Sequence, residues 1–484
     1  MHGAVLLYLL SGCAAGPDFH RPQVPAVNGY THGTDPGTTV AVDGTAQRFS
    51  SGTAATADWW RLFGSATLAT VVDEAMTHNP GLDAAQASLR QSQDVLRSGY
   101  GIFYPAIDAS AAATRERFNS LAFGQAVSGK VFNLFTLSAT VSYALDVFGG
   151  QRRMVEGLRA QLDVANATAL ATYLTLSSNI VNTIIARAAY QAESDATEQL
   201  VELQQQQVQL AEVQARAGTV PYSTVLSLRS QLASYQTQLP QLAQKIAQSN
   251  DLLASLAGHA PAEWTAPAVQ LADISLPAAL PLSVPSDLLR QRPDILAAEA
   301  TAHAASAQIG VATAAMLPSV TLTGDLAGST NSIHTLFPAN GRSWSIGANV
   351  TAPVFEGGTL WFKRRAAIEG YRQESDLYRQ TVLSAFAQVA DTLHALDNDA
   401  KVLAAEEEAL SAAREALHLV QANYDAGLST YLDVLNADAQ YHQAQIAQLE
   451  AVATRYQDTV ALFAALGGGW WNRPDSPRAA AQSN

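Results

Sequence analysis

The sequence contains little charge and almost no cysteine. Of its 484 residues, 14% are charged and a single one, Cys13, is cysteine. One thiol excludes an internal disulfide and a metal site built from several thiolates. A net charge of −14 argues against a nucleic-acid partner, which requires clustered Lys and Arg. No run of about 18 apolar residues occurs, so we expect no transmembrane helix, and any membrane crossing would have to use strands.

The sequence also lacks the residue patterns of known catalytic sites. Its ten histidines are scattered, without an i,i+4 pair or an H-E-x-x-H motif. Neither a phosphate-binding loop nor a G-x-S-x-G motif is present. We therefore predict that the protein is not an enzyme and binds no metal. The only prosthetic group that we expect is a covalent lipid.

The single cysteine follows a short apolar segment, AVLLYLL, in the stretch Leu10-Ser11-Gly12-Cys13. This arrangement resembles a bacterial lipobox, which predicts a signal peptide over residues 1–12 and acylation of Cys13. Ala14 is compatible with sorting to the outer membrane. A chance cysteine in a leader is the alternative. Export signals normally carry a basic residue before the apolar segment, and its absence leaves open whether Met1 is the true start.

The chain contains two similar halves, since a series of landmarks recurs about 210 residues apart in the same order. The matching pairs are Asn79-Pro80 with Arg292-Pro293, Gly149-Gly150 with Gly357-Gly358, and Ala217-Gly218 with Ala426-Gly427. We predict repeats over 75–258 and 288–468. The remaining segments are an N-terminal lipidated part (13–74), a linker (259–287) and a C-terminal tail (469–484).

Each repeat is predicted to contain a first helix, two strands, a very long helix and a second helix. In the first repeat the strands cover about 106–116 and 136–148, and the helices that follow cover 151–217 and 221–257. In the second repeat the strands cover about 318–328 and 343–355, and the helices cover 359–426 and 430–466. Proline is absent from 151–217, so this helix would be roughly 100 Å long.

The predicted strands alternate between apolar and polar residues. Leu137, Val141 and Leu145 lie on one face of the second strand, and Ser138 and Thr140 lie on the other. A length of about 11 residues is typical of a tilted strand that crosses a bilayer. A half-buried sheet of a soluble protein shows the same alternation and stays an alternative. Four strands cannot enclose water, because a barrel needs about eight, so the membrane interpretation requires an oligomer.

The long helices combine one face of small apolar residues with one uncharged polar face, as in the glutamines at 204–207. Such a polar face suits the wall of a water-filled tube, although a solvated coiled coil is also compatible with it. Periodicity does not separate the two interpretations.

Several stretches together resemble the TolC-like outer-membrane channels of efflux pumps and type I secretion, and best fit their lipoprotein (NodT-type) subgroup. They are GPDFHRP after Cys13, DWWRLFG at 58–64, LRQRPDILAAEA at 289–300, AMLPSVTLTG at 315–324, PVFEGG at 353–358 and YDAGLSTYLDVLNA at 424–437. The resemblance extends over nearly the whole chain after Cys13.

This resemblance implies an α+β membrane protein that forms a homotrimer. Each subunit would contribute four strands to a twelve-stranded transmembrane β-barrel, which continues into a long periplasmic α-helical barrel. The implied partners are outer membrane lipid, a periplasmic adaptor and an inner-membrane pump. The implied function is passive export of drugs or other small molecules across the outer membrane of a Gram-negative bacterium. The alternative is a periplasmic coiled-coil scaffold or adaptor without a pore.

The resemblance also implies roles for individual residues. Tyr424, Asp433 and Asn436 would line the periplasmic gate, and the turns at Gly218 and Gly427 would contact the adaptor. Repeated by threefold symmetry, Asp433 would form an anionic ring that attracts cations; stabilisation of a helix N-terminus is an equally good explanation of this carboxylate. The chain departs from the family pattern at Ser429, where some members have arginine, and at Asn436, where many have a second aspartate.

Overall fold

The structure is a computed structural model that describes residues 14–25, 27, 29–33, 37–41, 46–117, 131–335 and 342–472. The described residues form two compact units. We call the first the sheet unit; it lies within 14–23, 88–165 and 297–378. We call the second the helical unit; it lies within 24–87, 166–296 and 379–472.

Four long strands form one antiparallel sheet in the sheet unit, with the order β2-β3-β5-β6. They are β2 (Ala106–Arg117), β3 (Val131–Leu145), β5 (Ser319–Thr330) and β6 (Arg342–Thr351). The register places Ala109 opposite Ala139, Ala139 opposite Leu326, and Leu326 opposite Trp344. Each repeat therefore contributes two strands, and β2 and β6 are the two edges of the sheet. In the helical unit, β1 (Arg48–Ser51) and β4 (Ala279–Leu282) form a short parallel pair.

Eight α-helices account for most of the described residues. They are α1 (Ala66–His78), α2 (Pro80–Gly99), α3 (Gly150–Arg216), α4 (Tyr222–Leu256), α5 (Pro285–Gln291), α6 (Pro293–Ala314), α7 (Thr359–Asp425) and α8 (Tyr431–Ala465). Helices α3 and α7 contain 67 residues each, and they take corresponding places in the two halves of the sequence. Proline stands at the first position of α2 and α6, where its missing N–H costs nothing.

Two strands end earlier than the sequence pattern predicts. Strand β3 ends at Leu145, not near 148, because the carboxylate of Asp146 accepts hydrogen bonds from the backbone N–H groups of Gln151 (2.9 Å) and Arg152 (3.0 Å). The chain thus turns into α3 directly after the strand. Strand β6 ends at Thr351, not near 355, and Pro353 follows; proline has no N–H with which to extend the ladder.

The same junction occurs once in each repeat of the helical unit. Asn79, between α1 and α2, donates a side-chain hydrogen bond to the carbonyl of Leu256 at the end of α4 (2.8 Å). Arg292, between α5 and α6, donates in the same way to the carbonyl of Ala465 at the end of α8 (2.9 Å). Both side chains satisfy carbonyl groups that the last turn of a helix leaves free.

A glycine completes each of these junctions. A Cβ atom on Gly258 would overlap the carbonyl oxygen of His78, and one on Gly467 would lie 2.8 Å from that of Gln291. Both glycines have positive φ, +84° and +90°, a region that costs other residues energy. The glycines therefore permit both the turn and the close approach of two backbones.

Aromatic residues form one part of the core of the helical unit. Trp59 is fully buried and stacks on Phe463 of α8 with ring centroids 5.2 Å apart. Trp60, which is 1% exposed, contacts Tyr173 of α3. The DWWRLFG stretch therefore packs the N-terminal part of the chain against the long helices.

One described helix, Gly150–Arg216, is long and apolar enough to cross a membrane when judged by length and composition alone. The sequence pattern predicted no such helix. Core helices of soluble proteins meet the same criterion, so this observation is weak evidence for a helical span.

We expect Gly258→Ala to lower the midpoint of thermal unfolding more than Gly52→Ala does. Both glycines have positive φ, but the space around Gly52 is open. The Gly52 variant, which is the control, therefore loses only the roughly 1–2 kcal/mol of stability that left-handed backbone strain costs. The Gly258 variant adds overpacking against His78, typically about 1–3 kcal/mol. Circular dichroism of the purified protein in detergent measures both midpoints, and equal midpoints would contradict the junction described above.

Candidate functional site

The apolar face of the four-stranded sheet is exposed in the single chain. On the edge strand β6, Trp344 is 75% exposed, Ile346 82% and Val350 64%. In a soluble protein the apolar face of a half-buried sheet is covered by a second layer, since large exposed apolar patches mark contact sites. The exposure of these side chains therefore favours a face that contacts lipid over a soluble sheet.

The opposite face of the sheet is polar and hydrogen-bonded across the strands. Asp325 on β5 accepts hydrogen bonds from the hydroxyls of Thr140 on β3 (2.8 Å) and Ser345 on β6 (3.3 Å). The hydroxyls of Ser110 and Ser138 lie 2.8 Å apart. Such side chains suit a wall that faces water, and they leave the other face to apolar residues.

Two glycine turns join the long helices to the helices that follow. Gly218, after α3, and Gly427, after α7, both have φ of +74°. The N–H of Gly427 donates to the carbonyl of Tyr424 (2.9 Å), and the N–H of Leu428 donates to that of Asn423 (2.7 Å). This is the common closure of a helix C-terminus by a left-handed residue. Both glycines stand in open space, and the Leu428 side chain is 79% exposed.

Asp433 stabilises the N-terminus of α8. Its carboxylate accepts hydrogen bonds from the backbone N–H of Thr430 (2.9 Å) and from the Thr430 hydroxyl (2.6 Å), and the hydroxyl also accepts from the Asp433 N–H (3.3 Å). This reciprocal arrangement is a capping box. The hydrogen bonds from Thr430 lower the pKa of the Asp433 carboxyl below its usual value. The Asp433 side chain is exposed, and the lowered pKa keeps it charged at neutral pH.

Tyr424 lies in the last turn of α7 and contacts the first residue of α8. Its ring centroid is 5.6 Å from that of Tyr431. The Tyr431 hydroxyl in turn donates to the side-chain oxygen of Gln206 on α3 (3.0 Å). The pair therefore links the helix ends on both sides of the turn to a third helix.

Asn436 lies one helical turn after Asp433, so the two residues share one face of α8. Its side chain is exposed. Ser429 donates its hydroxyl to the carbonyl of Val420 (3.1 Å) and so completes the end of α7. The structure thus brings Tyr424, Asp433 and Asn436 to one turn. Their roles at a gate remain predictions.

Sequence reasoning did not identify two residues of this turn, Thr430 and Tyr431. The spacing Thr430-x-x-Asp433 before an apolar run was an available signal, because it matches the capping-box pattern with aspartate in the acidic position. The contact of Tyr431 with Gln206 joins residues 225 positions apart, and no local pattern predicts it.

The predicted lipidation site, Cys13, lies outside the described residues. The segment directly after it is held against the sheet unit: the N–H of Ala15 donates to the carbonyl of Phe148 (2.8 Å). The buried Arg153 forms ion pairs with Asp18 (2.7 Å) and Glu156 (2.7 Å). These contacts place Ala14 and Ala15 next to the turn that follows β3.

Comparison with known proteins gives consistent matches. The model of the family described as outer membrane efflux protein matches residues 71–259 and 284–468. The pyoverdine export outer membrane protein OpmQ of Pseudomonas putida is 29% identical over 423 residues, which cover 87% of this chain and 89% of that protein. The probable outer membrane lipoprotein SilC of Salmonella typhimurium is 26% identical over 468 residues, or 96% of this chain and 97% of that protein.

A solved structure, the outer-membrane channel OprN, has a TM-score of 0.83 and 26% identity, and covers 95% of this chain and all of that one. This similarity confirms the predicted fold class, a trimeric channel in which four strands per subunit and paired long helices form two consecutive barrels. It also confirms the outer membrane location and supports an efflux channel, not a scaffold without a pore. The two matched segments exceed half of the chain, and the chain therefore belongs to the outer membrane efflux protein family.

Proposed function

We propose that three copies of this chain form the passive exit duct of a tripartite efflux system. The duct receives drugs or other small molecules from an inner-membrane pump through a periplasmic adaptor. The energy comes from the pump, and the chain itself carries out no chemistry and needs no cofactor besides the lipid. The observation that carries the proposal is the four-stranded sheet, which has two open edges, one polar face and one exposed apolar face.

The proposal requires other copies of the chain to pair with both sheet edges. Strand β2 has 12 residues and β6 has 10, so each edge presents a row of backbone N–H and C=O groups. A bilayer offers these groups no water, and only a closed barrel satisfies them. Three copies supply twelve strands, which is above the minimum of about eight for a barrel around water.

The proposed gate consists of the turn between α7 and α8 in each subunit. Three Asp433 carboxylates related by the threefold axis would form an anionic ring, with Asn436 on the same helix face and Tyr424 beside the turn. Asp433 both caps α8 and carries a stable charge, so the two explanations of this residue are compatible. The exposed turns at Gly218 and Gly427 are the proposed contact sites of the adaptor.

Reconstitution in a planar bilayer tests the proposed duct. We expect purified trimer to give discrete conductance steps with a preference for cations. A protein that stays monomeric and soluble without detergent, and that gives no conductance, would contradict the proposal and favour a periplasmic scaffold.

We expect Asp433→Asn to reduce the preference of the channel for cations over anions. The amide keeps a hydrogen-bond acceptor for the Thr430 cap but removes the three charges of the ring. The reversal potential under a salt gradient measures this preference. Asp94→Asn is the matched control, because Asp94 is an exposed helical aspartate with an ion-pair partner, Arg97. Equal reversal potentials for the Asp433 variant and the wild type would show that Asp433 does not line the pore.

The pH dependence of the same preference follows from the lowered pKa of Asp433. A carboxyl with a depressed pKa stays charged as the pH falls through the usual aspartate range, near 3.9, and loses its charge only below that range. We therefore expect the cation preference to persist at pH 4 and to decline at lower pH. A midpoint of the decline above about 4 would contradict this prediction, because repulsion among the three carboxylates or loss of the Thr430 hydrogen bonds would then outweigh the lowering of the pKa.

We expect Cys13→Ser to abolish labelling of the protein by radioactive palmitate. Serine preserves size and polarity but lacks the thiol that is acylated. Because Cys13 is the only cysteine, no other thiol can take its place. Labelling that persists in the variant would contradict the assignment of Cys13 as the attachment site.

A further inference from the structure

The segment after β6 and the first turns of α7 carry exposed apolar and basic side chains. Val354 and Phe355 are 95% and 89% exposed, and Trp361 and Phe362 are 47% and 60% exposed. This surface continues the exposed apolar face of β6 along the chain, from the strand into the helix. We call these four residues, together with Lys363 and Arg365, the α7 collar.

Among the described residues, the basic residues of the α7 collar form no ion pair with a carboxylate of their own helix. The first turn of α7 contains no acidic residue, and cations near a helix N-terminus gain nothing from the helix dipole. Among the described residues, the first ion pair along α7 joins Glu369 and Arg372. Lys363 and Arg365 are both exposed, and the Arg365 guanidinium lies 4.8 Å from the centre of the Trp361 ring.

The corresponding place in the first repeat is different. There Arg152 pairs with Asp146 (3.1 Å), and Arg153 pairs with Asp18 and Glu156. When the two repeats are aligned, Pro353 of the second repeat occupies the position of Asp146 in the first. Among the described residues, the cations at the start of α3 therefore pair with carboxylates of the chain. At the start of α7 neither Lys363 nor Arg365 forms an ion pair with a described residue, although Glu356 lies just before the helix.

Exposed aromatic rings followed by Lys and Arg are typical of the zone where a membrane protein meets lipid headgroups. The rings contact the boundary of the hydrocarbon region, and long basic side chains extend to the phosphates. Anionic lipids attract such cations, with an effect that falls off within the screening length. We propose that the α7 collar binds anionic phospholipid headgroups at the periplasmic end of the barrel, an inference that rests on the proposed trimeric duct.

Lipid co-purification tests this proposal. Full-length trimers are reconstituted into bilayers of equal phosphatidylglycerol and phosphatidylcholine content and extracted in mild detergent. Mass spectrometry then determines the ratio of the two lipids that remain bound. We expect the wild type to retain several times more phosphatidylglycerol, since about fivefold enrichment corresponds to roughly one cation near an anionic surface. We expect the double variant K363Q/R365Q to retain the two lipids in nearly the bilayer ratio.

The matched control is R372Q/K401Q, which removes two positive charges farther along the same helix. Both residues are exposed and pair with carboxylates of the chain, Glu369 and Asp397. We expect the control to retain the lipid ratio of the wild type. Size-exclusion chromatography of each variant reports whether the trimer is intact.

Three outcomes would overturn the proposal: a wild type without lipid preference, an unchanged preference in K363Q/R365Q, or an equal loss in the control. If K363Q/R365Q dissociates while its bound lipid ratio stays that of the wild type, the surface belongs to a contact between subunits and the proposal is wrong. Conductance recordings on the same samples separate the two hypotheses. A conducting wild type without lipid preference overturns only the lipid site, and a wild type without conductance overturns the proposed duct.

Discussion

The hydrogen bonds of the two sheet edges determine what the rest of this protein must do. An unpaired strand edge is tolerated in water but not in a bilayer, where every backbone N–H and C=O group needs a partner in the protein. A chain with four membrane strands has two such edges, β2 and β6, and cannot satisfy both alone. Trimer formation is therefore a condition for membrane insertion, not an addition to a finished subunit.

This constraint also explains the division of the strand residues. Along β3 the hydroxyls of Ser138 and Thr140 have cross-strand polar partners, whereas Leu137 and Val141 are exposed on the other side. The cross-strand contacts supply hydrogen-bond partners to the polar side chains on the face that lines water. Lipid can cover the apolar face without burying unpaired polar groups. A shift of one residue in the register would exchange the two faces, so alternation along the strands and pairing between them specify the same arrangement.

Local patterns predicted the strands, the long helices and the two repeats, because each depends on residues close in sequence. The alternation at 136–147 and the proline-free stretch after Gly150 are such signals. They predicted the strand ends less well, because Asp146 ends β3 through hydrogen bonds to α3 and Pro353 follows the end of β6. The two helix junctions were not predictable, since the bonds of Asn79 to Leu256 and of Arg292 to Ala465 join residues 177 and 173 positions apart.

The turn between α7 and α8 shows how a residue that stabilises the fold is also suited to the role that we propose for it in the pore. The carboxylate of Asp433 is bonded to Thr430 at the N-terminus of its own helix, so its charge is stabilised by local hydrogen bonds and not by a distant ion pair. A carboxylate held by a salt bridge across the mouth would change its surroundings whenever the mouth opened. A carboxylate held by its own helix cap moves with α8 and keeps its charge. At the proposed gate, the charge of Asp433 therefore depends on the capping box with Thr430 and not on whether the gate is closed.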